Sequence, residues 1–211
     1  MSVEPPVEIL GTPHSNFVRA VRMVLAEKGL PYEYHPVRPH SPEALAVHPL
    51  GLVPGLKHGE VVLGESQAII AYLDGLWPRS PMGPSGSIAE AAEITEWISI
   101  MATTLDQTLI RRYVVPYAFP KGADGSPDRA AIEAVLPDLR NVFAVLETRL
   151  SGRDYLAAHR FTFADALLLT TLNPTLRRPE AAKISADTPA VRRYFELHSR
   201  RPSFVDTAPS A

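Results

Sequence analysis

His48-Pro49-Leu50-Gly51-Leu52-Val53-Pro54-Gly55-Leu56 is followed, a few residues on, by Glu65-Ser66-Gln67-Ala68-Ile69-Ile70-Ala71-Tyr72-Leu73. Val53-Pro54 is an X-Pro bond between two glycines, and only at X-Pro bonds does the cis isomer lie within about 1 kcal/mol of trans. After it, Gly55-Leu56-Lys57 and Val61-Val62-Leu63 are short apolar runs separated by His58-Gly59-Glu60, the pattern of a hairpin with glycine where positive φ is needed. A residue beside a cis-proline turns its N–H and C=O outward, so Val53 can pair with an extended peptide as an added strand does. Ser66 opens an apolar-periodic run through Ala68, Ile69, Tyr72 and Leu73. The start of such a helix presents free N–H groups and a positive dipole end to a carboxylate, and Glu65 beside it can accept from an ammonium. Taken singly, Ser66 reads as an N-cap and Glu65 as a solvated turn residue. Together with the Leu-Val-Pro-Gly text they fit an extended peptide with a zwitterionic α-amino acid head.

Around this block the chain divides in two. Val7 to Leu10 reads as a strand, Ser15 to Lys28 as a helix closed by Gly29 and Pro31, and Tyr32 to Val37 as a second strand. With the hairpin and the helix after it, the order is βαβ then ββα, which predicts a thioredoxin-like α/β domain over residues 1–76. Residues 77–87 carry three prolines and two glycines in Trp77-Pro78-Arg79-Ser80-Pro81-Met82-Gly83-Pro84-Ser85-Gly86-Ser87 and read as a linker. Beyond it, Ile94, Ile98, Met101 and Leu105 mark one helix, and Ile132, Val135, Leu139, Phe143, Leu146 and Leu150 another. Thr162 and Asp165 form a capping box ahead of Ala166-Leu167-Leu168-Leu169-Thr170-Thr171-Leu172, a run with almost no polar face. Residues 88–211 therefore predict an all-α C-terminal helical bundle.

The 211 residues carry a formal net charge of −2, with no basic surface to argue for nucleic acid or an anionic membrane. No run of 18 apolar residues is present, and Met1-Ser2-Val3-Glu4-Pro5-Pro6 lacks the basic-then-apolar pattern of a signal peptide, so a cytoplasmic location is expected. Zero cysteines exclude disulfides and thiol chemistry by the protein itself, leaving any sulfur chemistry to a ligand. The seven histidines show no ligand spacing on one helix face, and no metal is expected.

Over nearly its whole length the chain resembles a cytosolic glutathione S-transferase of the bacterial, theta-like, serine-using kind. The resemblance lies in Ser15-Asn16-Phe17-Val18-Arg19-Ala20-Val21-Arg22-Met23-Val24-Leu25-Ala26-Glu27-Lys28-Gly29, the Pro-Leu-Gly-Leu-Val-Pro block, Glu65-Ser66, the capping box and the ending Arg200-Arg201-Pro202-Ser203-Phe204. It implies a homodimer whose subunits bind glutathione on the thioredoxin-like domain, through Val53, Pro54, Glu65 and Ser66, and attack a small hydrophobic electrophile held by the helical domain. In that family the thiolate of glutathione is the nucleophile, and a hydroxyl on the loop after the first strand stabilises it. Ser15 stands in the serine position. Thr12 and Asn16 are rival donors on that loop, His14 is a weaker one, and Ser15 can also be read as a plain N-cap. Many relatives carry lysine where this chain has Leu52, so a contact to the glycyl carboxylate is missing; His40 is placed like a histidine that theta-like members use for it. The cysteine-using and zeta-type loops are absent. Tyr113, Tyr117 and Phe119 with Arg111 and Arg112 read either as a second-substrate pocket or as core aromatics and a solvated pair. Two classes of function follow: a conjugating enzyme, with peroxidase, isomerase or dehalogenase as variants, or a non-catalytic binding or scaffolding protein on the same fold.

Overall fold

The computed structural model describes residues 5–122 and 124–209. Met1 to Glu4, part of the N-terminal stretch considered above, lie outside them. Strands β1 (Glu8–Leu10), β2 (Glu33–His35), β3 (Gly55–His58) and β4 (Val61–Gly64) form one sheet in the order β2-β1-β3-β4. β1 is parallel to β2 and antiparallel to β3, and β3 pairs antiparallel with β4. Helices α1 (Asn16–Glu27), α2 (Pro42–Leu45) and α3 (Ser66–Leu76) complete this half. The hairpin turns at Gly59, φ +59°, as its text predicts.

α1 ends where the sequence stops it. Gly29 adopts φ +65°, its N–H bonds Ala26 O at 3.0 Å, and Leu30 N–H reaches back to Leu25 O at 2.9 Å, the paired bonds of a Schellman closure. A left-handed residue there favours glycine because it has no Cβ to clash. Val18, Val21, Val24 and Leu25 are fully buried.

The second half is helical: α4 (Ile88–Ile100), a π-helical stretch (Met101–Val114), α5 (Val115–Ala118), α6 (Arg129–Leu150), α7 (Phe163–Leu176), α8 (Pro179–Ala186), α9 (Pro189–His198) and α10 (Pro202–Asp206). The periodicity through Leu105 predicts an ordinary α-helix, but from Met101 each bond reaches one residue further. Two local features loosen an α ladder at the ends of this stretch: the Thr103 hydroxyl bonds the Ser99 carbonyl at 2.8 Å, and Pro116 has no N–H to give.

α7 is buried on all sides, as its apolar run requires, and it packs against α1. Its cap is a fully buried carboxylate. Asp165 accepts from Leu156 N at 2.6 Å, Thr162 N at 2.9 Å, Thr162 Oγ1 at 3.1 Å and Tyr194 Oη at 3.0 Å. Burial pushes this carboxyl up to about 6, against the pull of those four donors.

The proline-rich stretch 77–87 is tied down on both sides. The Lys28 side chain, 2% exposed, pairs its ammonium with Asp74 at 2.8 Å and bonds the carbonyls of Trp77 at 2.7 Å and of Arg79 and Ser80 at 3.3 Å. Asp74 in turn accepts from the N–H groups of Met82 and Gly83, and Met82 O accepts from Phe163 N at 2.7 Å. At the C-terminus, Arg19 lies under the Phe204 ring at 3.8 Å and bonds its carbonyl at 2.7 Å, while Arg201 grips Glu27 through two nitrogens.

Candidate functional site

Strand register brings the sequence-predicted residues to one edge. Leu10 pairs with Gly55, Gly55 with Gly64, and Leu10 with His35. The loop from Gly11 to Ser15, the Val53-Pro54 turn before β3, Glu65-Ser66 after β4 and the loop carrying His40 therefore all leave the sheet at the same end. Gly11 lets the first two approach closely: a Cβ there would meet Val18 Cγ2 at 2.4 Å and Val53 Cβ at 3.2 Å.

The Val53-Pro54 bond is cis. Val53 is half-buried and Pro54 buried, and among the described residues neither the N–H nor the C=O of Val53 has a hydrogen-bond partner. That leaves a donor and an acceptor side by side for an extended peptide.

Glu65, not Ser66, is the residue that caps α3, without a side-chain bond, and Ser66 is the first helical residue. Glu65 sits at φ +64°, ψ 118°, a conformation that costs a non-glycine residue about 1–3 kcal/mol and that concentrates at ligand sites. Its carboxylate, 73% exposed, accepts from His48 Nε2 at 3.2 Å. Since His48 Nδ1 accepts from Leu50 N at 3.1 Å, the ring proton is on Nε2. His48 is buried and orients Glu65, a role the sequence reading did not assign; its adjacency to the Pro-Leu-Gly text was the only signal. Ser66 is buried, and its N–H lies in the first turn of α3, aimed where a carboxylate would sit.

Ser15 caps α1, its Oγ accepting from Val18 N at 3.4 Å. Its own O–H stays available, because a hydroxyl accepts through a lone pair while donating its proton elsewhere. The rival donors differ in what already engages them. Asn16 Nδ2 gives its two N–H groups to Asp106 Oδ1 at 3.1 Å and Thr171 Oγ1 at 3.0 Å, which leaves none for a thiol. His14 is exposed, and Thr12 is half-buried with its carbonyl accepting from Ser15 N. His40 is exposed at φ +63° with its N–H on Gly51 O at 2.7 Å, and Leu52 is 42% exposed.

Among the described residues, Tyr113 and Tyr117 bond Glu180, while the two arginines pair with other acids. Tyr113 is fully buried and shares Glu180 with Tyr117, while Arg129 bonds the same carboxylate at 2.8 Å. Burial opposes ionisation of Glu180, but hydrogen bonds from Tyr117 and Arg129 hold it at about 2. Phe119 is 71% exposed. Arg112 reaches Asp138 and Arg111 reaches Asp106. Away from the site, a cavity of about 560 Å³ is bounded by β1, β3 and α2, with Glu8, His35, Glu43 and Lys57 in its lining. Among the described residues, Glu8, Glu33 and His35 are the one group whose ligand atoms lie close enough to share a cation.

Comparison with known proteins bears on the family and the fold. Residues 10–81 match the model of the glutathione S-transferase N-terminal domain, and residues 107–202 that of the C-terminal domain. The chain is 32% identical to glutathione S-transferase 3 of Zea mays, over 96% of this chain and 93% of that one. Among solved structures it is similar to glutathione transferase F7 of Populus trichocarpa, at 26% identity and TM-score 0.80 over 95% and 97% of the two chains. It is also similar to a glutathione S-transferase-I bound with lactoylglutathione, at 26% identity and TM-score 0.80 over 96% and 98%. The named plant relatives do not support the bacterial, theta-like branch expected from the sequence. With a relative of that identity spanning almost all of both chains, and both domain models matched in order, this chain belongs to the glutathione S-transferase family.

Proposed function

We propose that the protein is a serine-type glutathione transferase that binds glutathione at the β-sheet edge and attacks small hydrophobic electrophiles with its thiolate. The observation that carries this reading is the convergence of Ser15, Val53, Glu65 and Ser66 on one edge through the strand register. Val53 pairs with the cysteinyl backbone as an added strand, next to Pro54. The first turn of α3 at Ser66 takes the γ-glutamyl carboxylate, and Glu65, oriented by His48, takes its ammonium. His40 is the candidate for the glycyl carboxylate, in place of the lysine that Leu52 replaces. Ser15 Oγ–H donates to the thiolate at the positive end of α1. The sulfur lone pair then forms the C–S bond while the leaving group departs with its electron pair; on an activated double bond, the pair moves to the far carbon, which water protonates. No metal is needed for either step.

Calorimetric titration of glutathione, together with the conjugation rate on a neutral chloronitrobenzene, tests the reading. Saturable binding with turnover above the solution rate is expected; binding without turnover favours the scaffolding alternative, and absence of binding removes both.

The active unit is proposed to be a homodimer in the cytoplasm. Val62 on β4, Leu76 at the end of α3 and Ile88 at the start of α4 leave 46%, 42% and 92% of their surface exposed, apolar area that a second subunit would cover if the three lie on one face. Light scattering should give twice 23.1 kDa; a mass of one chain rejects the dimer. No helix among the described residues is long and apolar enough to cross a membrane.

A further inference from the structure

Arg111 lies on the π-helical stretch, five residues after Asp106. In an α-helix, residues five apart point about 140° away from each other. Where each bond spans one residue more, residues five apart stack instead. The π winding of Met101–Val114 therefore puts Arg111 above Asp106, and its Nε donates to Asp106 Oδ2 at 2.9 Å. The other carboxylate oxygen of Asp106 is held by Asn16, the residue after Ser15, which is itself pinned to Thr171 of α7. One carboxylate and two hydrogen bonds separate the Arg111 guanidinium from the N-terminus of α1.

The two ends of this chain differ in exposure. The Asp106 side chain is 5% exposed and that of Arg111 is 56% exposed. Only Nε of Arg111 is engaged; among the described residues its two terminal nitrogens have no hydrogen-bond partner. Arg201 differs in this respect, spending Nε and a terminal nitrogen on Glu27. Fixed at Nε by a buried acid, Arg111 presents its terminal N–H groups as a planar fork, which matches a carboxylate in bidentate form. The net charge at this spot is balanced by Asp106, so the fork selects by hydrogen-bond geometry more than by long-range attraction.

We infer that Arg111 is a specificity-determining residue: it docks a carboxylate on the electrophile, so the preferred acceptors are apolar molecules that carry an acid group. The inference rests on the reading of the Ser15 edge as the thiol site. The matched probes are 4-chloro-3,5-dinitrobenzoate and its methyl ester, which lose chloride to the same attack and differ in charge. After division by the uncatalysed rates, the wild type should favour the acid. Arg111→Gln should lower kcat/KM for the acid by about tenfold or more, the range of a charge-assisted hydrogen bond, and change the ester less than about twofold. Arg111→Lys should recover part of the loss. Calorimetric binding of the two preformed glutathione conjugates makes the same comparison without turnover.

An equal fall on both probes, or equal affinity of Arg111→Gln and wild type for the acid conjugate, overturns the inference. If wild type turns over the ester without preferring the acid, Arg111 loses its role and the transferase reading stands. If neither probe reacts while the acid conjugate still binds in an Arg111-dependent way, the transferase reading falls and the anion site stands.

Discussion

Ser15→Ala should raise the thiol pKa of bound glutathione by about two units and cut the conjugation rate at pH 7 by at least about tenfold. Two units correspond to roughly 2.7 kcal/mol, within reach of one hydrogen bond to a charged acceptor, about 1.5–3 kcal/mol, aided by the helix dipole. Moving a thiol from about 6.5 to about 8.5 lowers the thiolate fraction at pH 7 roughly 25-fold. A more basic thiolate is a better nucleophile and returns part of that; losing the hydroxyl that positions the sulfur removes more. The deficit should shrink as pH rises, since the mutant gains thiolate where the wild type is already ionised. The checks are ultraviolet titration of the bound thiolate and the pH profile of kcat/KM for both proteins. Superimposable profiles would reduce Ser15 to a helix cap. Stability has to be measured alongside, because the bond from Val18 N at 3.4 Å is a weak cap whose loss falls at the low end of 0.5–2 kcal/mol. Capping and catalysis are compatible in this residue, because Oγ accepts from the helix while its proton stays free to be donated.

Asp165→Ala is expected to destabilise the fold by about 3–5 kcal/mol, read as a lower midpoint in urea, with glutathione binding lost in the fraction that unfolds. The substitution strands Leu156 N, both donors of Thr162 and the Tyr194 hydroxyl inside a sealed environment. Each stranded donor costs about 1–3 kcal/mol, against a total stability of 5–15 kcal/mol. Asp165→Asn keeps the shape but turns an NH₂ toward the N–H of Leu156 or of Thr162, whichever oxygen it replaces, so it should recover only part of the loss. A change under about 1 kcal/mol in the alanine variant would show that water or repacking satisfies the site. The effect bears on function because Thr171, on the same helix, holds Asn16 beside Ser15.

Features written in local text were legible in the sequence. The cis proline, the hairpin with Gly59 at its turn, the stop at Gly29 and the capping box each follow from neighbours a few residues apart. So does the order of elements that sets the sheet topology. Long-range pairing was not legible. Asn16 looked like a free donor on the loop because nothing local shows that its partners are Asp106 and Thr171. For Tyr113 and Tyr117 the sequence left pocket and core equally open, because nothing local shows that Glu180, on a distant helix, takes both hydroxyls. The π winding escaped because apolar spacing of three and four through Leu105 fits an α-helix equally well. Glu65 was found by its company, but its left-handed backbone has no sequence signal in a glutamate.

Lys28 reads in sequence as the last polar residue of α1, yet its ammonium gathers one carboxylate of α3 and three carbonyls around the proline-rich crossing. The two halves are consequently poor interchangeable parts. A chimera that took its sheet half from one relative and its helical half from another would keep both cores. Lys28 and Asp74 would travel together in the sheet half, so the seam would hold only where the incoming crossing offers the same carbonyls and N–H groups along the same backbone path.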